Sequence, residues 1–308
     1  MIANKPQVSV VVPIFNHARY LRCRLESIFA QTFNDFEVIL LDDRSTDESA
    51  SILQEFRHHP KVTHFEINEQ NSGSPFVQWN KGVSLAKGNL IWIAESDDDA
   101  DAGLLGTMTR AITSDENVGI SYCQSLKIDE TGKVIGDWEL HTKDLDDARW
   151  KGDFIADGRL EVDRYLLIKN TIPNVSAVIF KKDVFEKVGG ADTSVEKCAD
   201  WLLWMKMLLV SDLAFVAAPL NRFRSHAESV IATSQQHPSY YRCRMRQRFD
   251  ETLREYDNDG SLFAIAESNR RLLVRDLGLL SNVSWSNGHF GRAAYYLGAA
   301  YLAKVRGN

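Results

Sequence analysis

The stretch "VSVVVPIFNHARYLRCRLESIFAQTFNDFEVILLDD", Val8 to Asp43, decides the fold class. It opens with a continuous β-branched run, Val8 to Pro13, the pattern of a strand covered on both faces. Leu21, Leu25, Ile28 and Phe29 then recur at helical spacing within Ala18 to Gln31. Glu37 to Asp43, "EVILLDD", is a second buried strand. Strand, helix, strand with both strands apolar throughout is a parallel unit with a right-handed crossover.

The alternation continues outward. Ser45 and Asp47 are placed to cap a helix running to Arg57. "VTHFEIN" reads as a third strand, Pro75 to Lys87 as a helix closed by Gly88, and "LIWIAESDD" as a fourth strand. After about Asp115 the pattern changes. "VGISYCQS" and "VSAVIFKK" are strands separated by a polar, acidic stretch, Asp129 to Asp157, of weak periodicity. "ADWLLWMKMLLVSD" is a helix, and "LAFVAAPLNRFRSH" a strand running into a loop. From about His237 to Asn308 the chain is helical. The expected architecture is α/β: a doubly wound, mostly parallel sheet flanked by helices, with a helical C-terminal extension. The expected domains are 1–236, in halves of about 1–115 and 116–236, and 237–308.

A net charge of -6, from 36 basic and 42 acidic residues, weighs against a general nucleic-acid binder. Cys23, Cys123, Cys198 and Cys243 form no C-x-x-C pair, which argues against zinc and for a reducing compartment. Pro13 interrupts the first apolar run, so no secretory signal is read there. No stretch approaches the roughly 20 apolar residues that span a bilayer. The expected location is cytoplasmic, with peripheral contact at the inner membrane face left open.

In parallel sheets ligands bind beyond the carboxyl ends of the strands. Three such ends are chemically marked here: "VVPIFNH", "LLDDRSTD" and "AESDDDAD". Ile93 to Asp101 packs four aspartates and a glutamate together, a cluster that repels itself unless something positive joins it. Either it is a solvated loop, or it holds a divalent metal and a phosphorylated substrate. A pair such as Asp42 and Asp43 also serves simply to cap the next helix.

Taken together, these residues resemble family 2 glycosyltransferases, which have the GT-A fold. The signature is a strand, Pro-x-Phe-Asn, a helix, "QTFNDFEVILLDD" and Ser-Thr-Asp. The resemblance runs from about Val8 to His226 through "NSGSPFVQWNKG", "AKGNLIWIAESDDDAD", "VIFKKDVFEKVGG", "ADWLLWMKM" and "LNRFRSH". It implies a nucleoside-diphosphate sugar donor, UDP or dTDP. Asp43 would hold the base, with Pro13 and Phe15 against it. Asp97 and Asp98 match the metal-binding acidic motif, suited to Mn²⁺ or Mg²⁺, with Asp97 also on the donor side. Asp200 falls at the catalytic base, a role compatible with an N-cap. Arg224 would bind the diphosphate, and His226 the metal or diphosphate. Asp99 and Asp101 are read as solvated or capping, and the other histidines carry no assigned role.

Three departures stand out. Glu95 occupies the first acidic position of the D-x-D motif. Trp79 stands where an arginine commonly precedes the asparagine. Ala199 stands where a glutamate commonly precedes Asp200, with Glu196 a few residues earlier.

The implied function is an inverting, metal-dependent transfer of a sugar to a hydroxyl of a glycan or glycolipid acceptor, in bacterial surface polysaccharide synthesis. A nucleotidyltransferase that makes the sugar nucleotide should carry a Gly-rich basic loop after strand one, and "VVPIFNHARY" has no glycine. A non-catalytic nucleotide- or glycan-binding domain is the other alternative, against which the co-occurrence of Asp43, Asp97, Asp98 and Asp200 argues. In the tail, Tyr241, Met245, Phe249, Leu253 and Tyr256 form an apolar helical stripe among Arg242, Arg244, Arg246 and Arg248. That helix either packs on the rest of the chain or meets anionic lipid.

Overall fold

Val8 to Ile14 is buried at every position, which explains why the run does not alternate. In the computed structural model, which describes residues 5–195, 198–226 and 238–305, it forms β1. β1 pairs in parallel with β2 (Phe36–Asp42) and β4 (Leu90–Ile93), and β2 with β3 (Val62–Ile67). The helices between them are α1 (Ala18–Phe29), α2 (Ser49–Phe56) and α3 (Pro75–Leu85). α1 packs Leu21, Leu25 and Ile28 against Val10, Val12 and Trp92 in one core.

Beyond β4 the sheet becomes mixed. β5 (Asp99–Ala100), β6 (Val118–Ile128), β7 (Val134–Asp137), β8 (Phe154–Ala156), β9 (Val178–Lys181) and β10 (Asp212–Arg224) complete it. Its path is β3-β2-β1-β4-β9-β6-β10-β5. β9 runs antiparallel to both β4 and β6, while β6 and β10 are parallel. Along the chain up to residue 208 the remaining α-helices are α4 (Leu104–Thr113), α5 (Glu139–Thr142), α6 (Gly158–Glu161), α7 (Lys182–Lys187) and α8 (Ala199–Leu208). The acidic stretch 129–157 is therefore not structureless: it carries β7, α5 and β8, and Trp150 anchors it by donating to Tyr122 Oη at 2.6 Å.

Two local expectations are corrected. Gly88 does not cap α3, whose C-cap is Ala86. Gly88 lies against β1, donating its N–H to Ser9 Oγ, and a Cβ there would come within 2.7 Å of Ser9 N. Glycine is needed for close approach, not for a left-handed turn. Ser45 does not cap α2 either, because its hydroxyl and N–H turn back to Asp42 Oδ1. Asp47 instead accepts from Ser49 N at 3.0 Å and from Ala18 N at 2.9 Å, tying the starts of α2 and α1 together.

The chain divides into two compact units. One is Met1–Gly158 with Thr171–Ser229, which contains the sheet; the other is Arg159–Asn170 with Val230–Asn308. The expected boundary at 236–237 lies outside the described residues. The second unit holds α9 (Pro238–Tyr256), α10 (Phe263–Ser286) and α11 (Phe290–Val305). Cys243, Leu273, Leu277 and Leu280 form its small core. The reading of Arg246 as part of a basic surface is corrected here, while Arg244 is exposed. Arg246 is fully buried, donating to Asp276 Oδ2 at 2.7 Å and to the Leu167 carbonyl at 2.7 Å. Arg242 joins the same carboxylate, and Arg248 pairs with Glu251. A carboxylate as buried as Asp276 needs cationic partners, and α9 supplies them.

Candidate active site

The carboxyl ends of β1 and β2 are laced together. Asp43 N donates to the Ile14 carbonyl at 2.8 Å. Asn16 N donates to Ser45 Oγ at 3.0 Å, and Thr46 N to Asn16 Oδ1 at 2.8 Å. Asn16 (φ 55°), Arg44 (φ 65°) and Cys198 (φ 63°) are the described non-glycine residues with left-handed backbone. Each lies within two residues of a predicted site residue: Phe15, Asp43 or Asp200. Strain of this kind costs about 1–3 kcal/mol per residue and collects at functional sites.

Pro13 is buried within β1, opposite Leu41, while Phe15 projects with 45% exposure. Asp43 is buried, and protein donors fill its carboxylate. Oδ1 accepts from Asn68 Nδ2 (2.7 Å), Gln78 Nε2 (2.8 Å) and Ser72 N (2.9 Å), and Oδ2 from Ser72 Oγ (2.7 Å). A base N–H reaching Asp43 has to displace one of them.

Past β4 the chain turns out of the sheet. Glu95 N donates to Ser176 Oγ at 3.1 Å, and Glu95 Oε1 accepts from Trp79 Nε1 at 2.8 Å. Two departures from the family pattern thus meet as a pair. Asp97 Oδ2 lies 3.1 Å from His226 Nε2. His17 Nδ1 lies 2.8 Å from Ser96 Oγ. One ligand atom each from His17, Asp97 and His226 lie within 4.8 Å of one another. Asp98 points elsewhere: it is buried, and its Oδ1 accepts from Arg224 N at 2.9 Å. Arg224 is also buried. Its Nε donates to the Asp97 carbonyl (2.7 Å), its Nη1 to the Asp129 carbonyl (2.9 Å), and its guanidinium lies 4.8 Å from the Tyr20 ring centre. The guanidinium read as a diphosphate ligand therefore clamps two loops. Of the expected metal set, Asp97 and His226 come together, with His17 beside them, and Asp98 is not in that group.

Electrostatics follow from this packing. Burial, then the Asp97 charge, pushes Glu95 up to about 8 and Asp98 up to about 7. Burial also opposes ionisation of Asp97, but the His226 hydrogen bond and the two imidazoles outweigh it and lower its pKa. Arg24 lies fully buried in α1, 4.8 Å from the Trp92 ring centre, and senses the charges of Asp98, Asp99, Asp97 and Glu95. It partly answers why the chain tolerates the acidic cluster. Arg24 sits within the apolar stripe of Leu21, Leu25 and Ile28, and a charge in such a stripe was the available signal. The signal for His17 was a histidine directly after a marked strand end.

Asp200 stands in the first turn of α8, half-buried, with Cys198 as N-cap. It is therefore not the N-cap itself. A carboxylate in a first turn gains about 0.3–1 kcal/mol from the helix dipole. Glu196 lies outside the described residues.

The fold is that of GT-A glycosyltransferases. Residues 1–349 of S. aureus TarS, in complex with UDP-GlcNAc, superpose with a TM-score of 0.69 at 17% identity, covering 96% of this chain and 81% of that one. A mannosyltransferase from Pyrobaculum calidifontis, in complex with GDP-Man and Mn²⁺, gives 0.56 at 19% identity, covering 98% and 81%. The glycosyl transferase family 2 model matches residues 9–189, more than half of the chain, and the chain belongs to that family. Asp200, Arg224 and His226 lie beyond the matched residues.

Among relatives, the glycosyltransferase GlyG of Streptococcus pneumoniae is 36% identical over 105 residues, 34% of this chain and 35% of that protein. The GalNAc(5)-diNAcBac-PP-undecaprenol beta-1,3-glucosyltransferase of Campylobacter jejuni is 27% identical over 157 residues, 49% of this chain and 51% of that protein. The chain thus spans a third to a half of the length of these two relatives.

Two imidazoles and a carboxylate whose ligand atoms lie within 4.8 Å of one another suit a first-row divalent ion. The site therefore fits the metal that the fold family implies.

Proposed function

We propose that the chain is an inverting glycosyltransferase using a UDP- or dTDP-sugar with a divalent metal, Mn²⁺ or Mg²⁺, and a hydroxyl of a glycan or lipid-linked glycan as acceptor. The observation that carries this is the gathering of His17, Asp97 and His226 beyond the carboxyl edge of the sheet, in a family 2 chain. The UDP-GlcNAc complex of TarS and the undecaprenol-linked acceptor named for the Campylobacter enzyme support the donor and acceptor classes. Bacterial surface polysaccharide synthesis is the matching process.

Asp97 and His226 would hold the metal, which when bound neutralises charge on the diphosphate. Phe15 offers an exposed ring for the base, and Asp43 a carboxylate for its N–H once Ser72 yields. Asp200 accepts the proton of the acceptor hydroxyl. That oxygen bonds to the anomeric carbon from the face opposite the diphosphate, and the bond from that carbon to the diphosphate oxygen breaks, its electron pair leaving on the nucleoside diphosphate. The sugar inverts in one step. Peripheral membrane contact belongs to the same proposal. It draws on α11, where Tyr295, Leu297, Tyr301 and Leu302 are exposed, rather than on α9. Co-sedimentation with anionic vesicles tests it.

The main experiment incubates the chain with a panel of UDP- and dTDP-sugars and Mn²⁺, and follows nucleoside-diphosphate release and the anomer formed. Asp200→Asn should lower turnover by about 10²–10⁴-fold with donor affinity nearly unchanged. No release from any donor, or retention at the anomeric carbon, overturns the proposal.

A further inference from the structure

The position after Asn16 carries no assigned role in the sequence, yet the fold brings it 79 residues along the chain to the acidic turn. The geometry points to His17 as a third protein ligand of the metal, completing a two-histidine, one-carboxylate set that favours Mn²⁺, Co²⁺ or Zn²⁺ over Mg²⁺. This rests on the metal-dependent reading above and deepens it.

Four observations converge. The ligand atoms of His17, Asp97 and His226 already lie within 4.8 Å of one another; one ion at about 2.0–2.2 Å from each atom spans at most about 4.4 Å, so a side-chain adjustment of a few tenths of an ångström brings all three onto it. Second, the His17 ring is oriented from outside the group: its Nδ1 is paired with Ser96 Oγ at 2.8 Å. Metal-binding histidines use one nitrogen for the ion and the other for such a partner, which fixes the tautomer. Third, the rings of His17 and His226 meet edge-on at 5.9 Å, with Tyr20 5.3 Å from His226, so the imidazoles are packed rather than loosely solvated. Fourth, Asp98, the carboxylate that would have made a harder, oxygen-rich set, spends its Oδ1 on Arg224 N. Mg²⁺ prefers oxygen ligands and gives up water reluctantly, whereas imidazole suits the later first-row ions. Replacing a carboxylate by a second imidazole moves preference in that direction.

The alternative role for His17 is a direct contact to the donor diphosphate, with no part in holding the ion. The test uses the chain without nucleotide. Calorimetric titration with Mn²⁺, Co²⁺ and Mg²⁺ is compared for the wild type, His17→Gln and His17→Ala, and the visible spectrum of the Co²⁺ form reports its nitrogen ligands. Thermal unfolding without metal verifies that the variants fold. The expected result is Mn²⁺ and Co²⁺ binding at least about 10-fold tighter than Mg²⁺. Both variants should lose about 10–100-fold of Mn²⁺ affinity and change the Co²⁺ spectrum, while Mg²⁺ binding changes little. Unchanged Mn²⁺ affinity and Co²⁺ spectrum in folded variants overturn the inference and leave the metal-dependent reading standing. If the same variants weaken UDP binding in EDTA, His17 is a diphosphate contact. Failure of the wild type to bind any of the three ions, with or without UDP, overturns the metal-dependent reading itself.

Discussion

Two apolar strands lead into paired aspartates, Asp42–Asp43 at the end of β2 and Asp97–Asp98 after β4, and the fold treats the pairs in opposite ways. Neutral side chains and backbone fill the Asp43 carboxylate: Asn68, Ser72 and Gln78 supply its donors. Asp42, the last residue of β2, is bonded to Ser45 through Oδ1 alone, and burial pushes its pKa up. At the second pair the neighbours are themselves ionisable. Asp97 faces two histidines, and Asp98 and Glu95 crowd it with carboxyl groups whose ionisation burial opposes. A carboxylate saturated by neutral donors organises the backbone around it. Carboxylates crowded by one another store repulsion that a dication relieves.

The contrast sets the expected effects of substitution, largest first. Asp97→Asn should lower Mn²⁺ affinity by at least about 100-fold, the upper end of what even outer-shell changes cost. Titration calorimetry measures it, and the unfolding free energy without metal should fall less than for Asp43→Ala, because the lost contact to His226 is offset by relief of the repulsion from Asp98 and Glu95. Asp43→Ala should do the reverse. It leaves several buried donors without their acceptor, so stability should drop by about 2–4 kcal/mol, read by denaturant unfolding, while Mn²⁺ affinity stays within threefold (roughly 0.6 kcal/mol). If Asp43→Ala is as stable as wild type, the two sites do not differ as described.

A pH dependence separates the pairs further. Folding raises the Glu95 and Asp98 pKa values to about 8 and about 7. The folded chain therefore keeps these protons to a higher pH than the unfolded chain does. Unfolding between about pH 5 and 8 releases protons, so this contribution to metal-free stability is full at low pH and is lost as pH rises through 7 to 8. Melting temperatures from pH 5 to 8.5 should decline, and Asp98→Asn should flatten the decline. The smallest effect is that of Trp79→Phe, which removes one hydrogen bond to Glu95 at a cost of about 1 kcal/mol, measurable by the same denaturant unfolding.

The first half of the sheet was legible because β1, β2 and β4 are buried on both faces, and their apolar runs carry that signature without any partner. The direction of β9 was not legible: a strand of four residues, Val178–Lys181, reads the same whether its neighbours run parallel or antiparallel. Asp97 and His226 came through family resemblance, since 129 residues separate them. The nearness of His17 and Arg24 to the acidic turn was not legible, because it depends on which strand end folds over α1. Arg246 was misread for a related reason. A charged residue on an amphipathic helix is normally solvated, and nothing local shows that a buried Asp276, 30 residues further on, will claim it.

The most direct measurement is the affinity of the wild-type chain for UDP by titration calorimetry, with saturating Mn²⁺ and again with EDTA. If the turn after β4 holds the diphosphate through a cation, UDP should bind at least about 10-fold tighter with Mn²⁺, a difference of roughly 1.4 kcal/mol, and Asp97→Asn should erase the gain. Equal affinity in Mn²⁺ and EDTA, at the same stoichiometry, would contradict it.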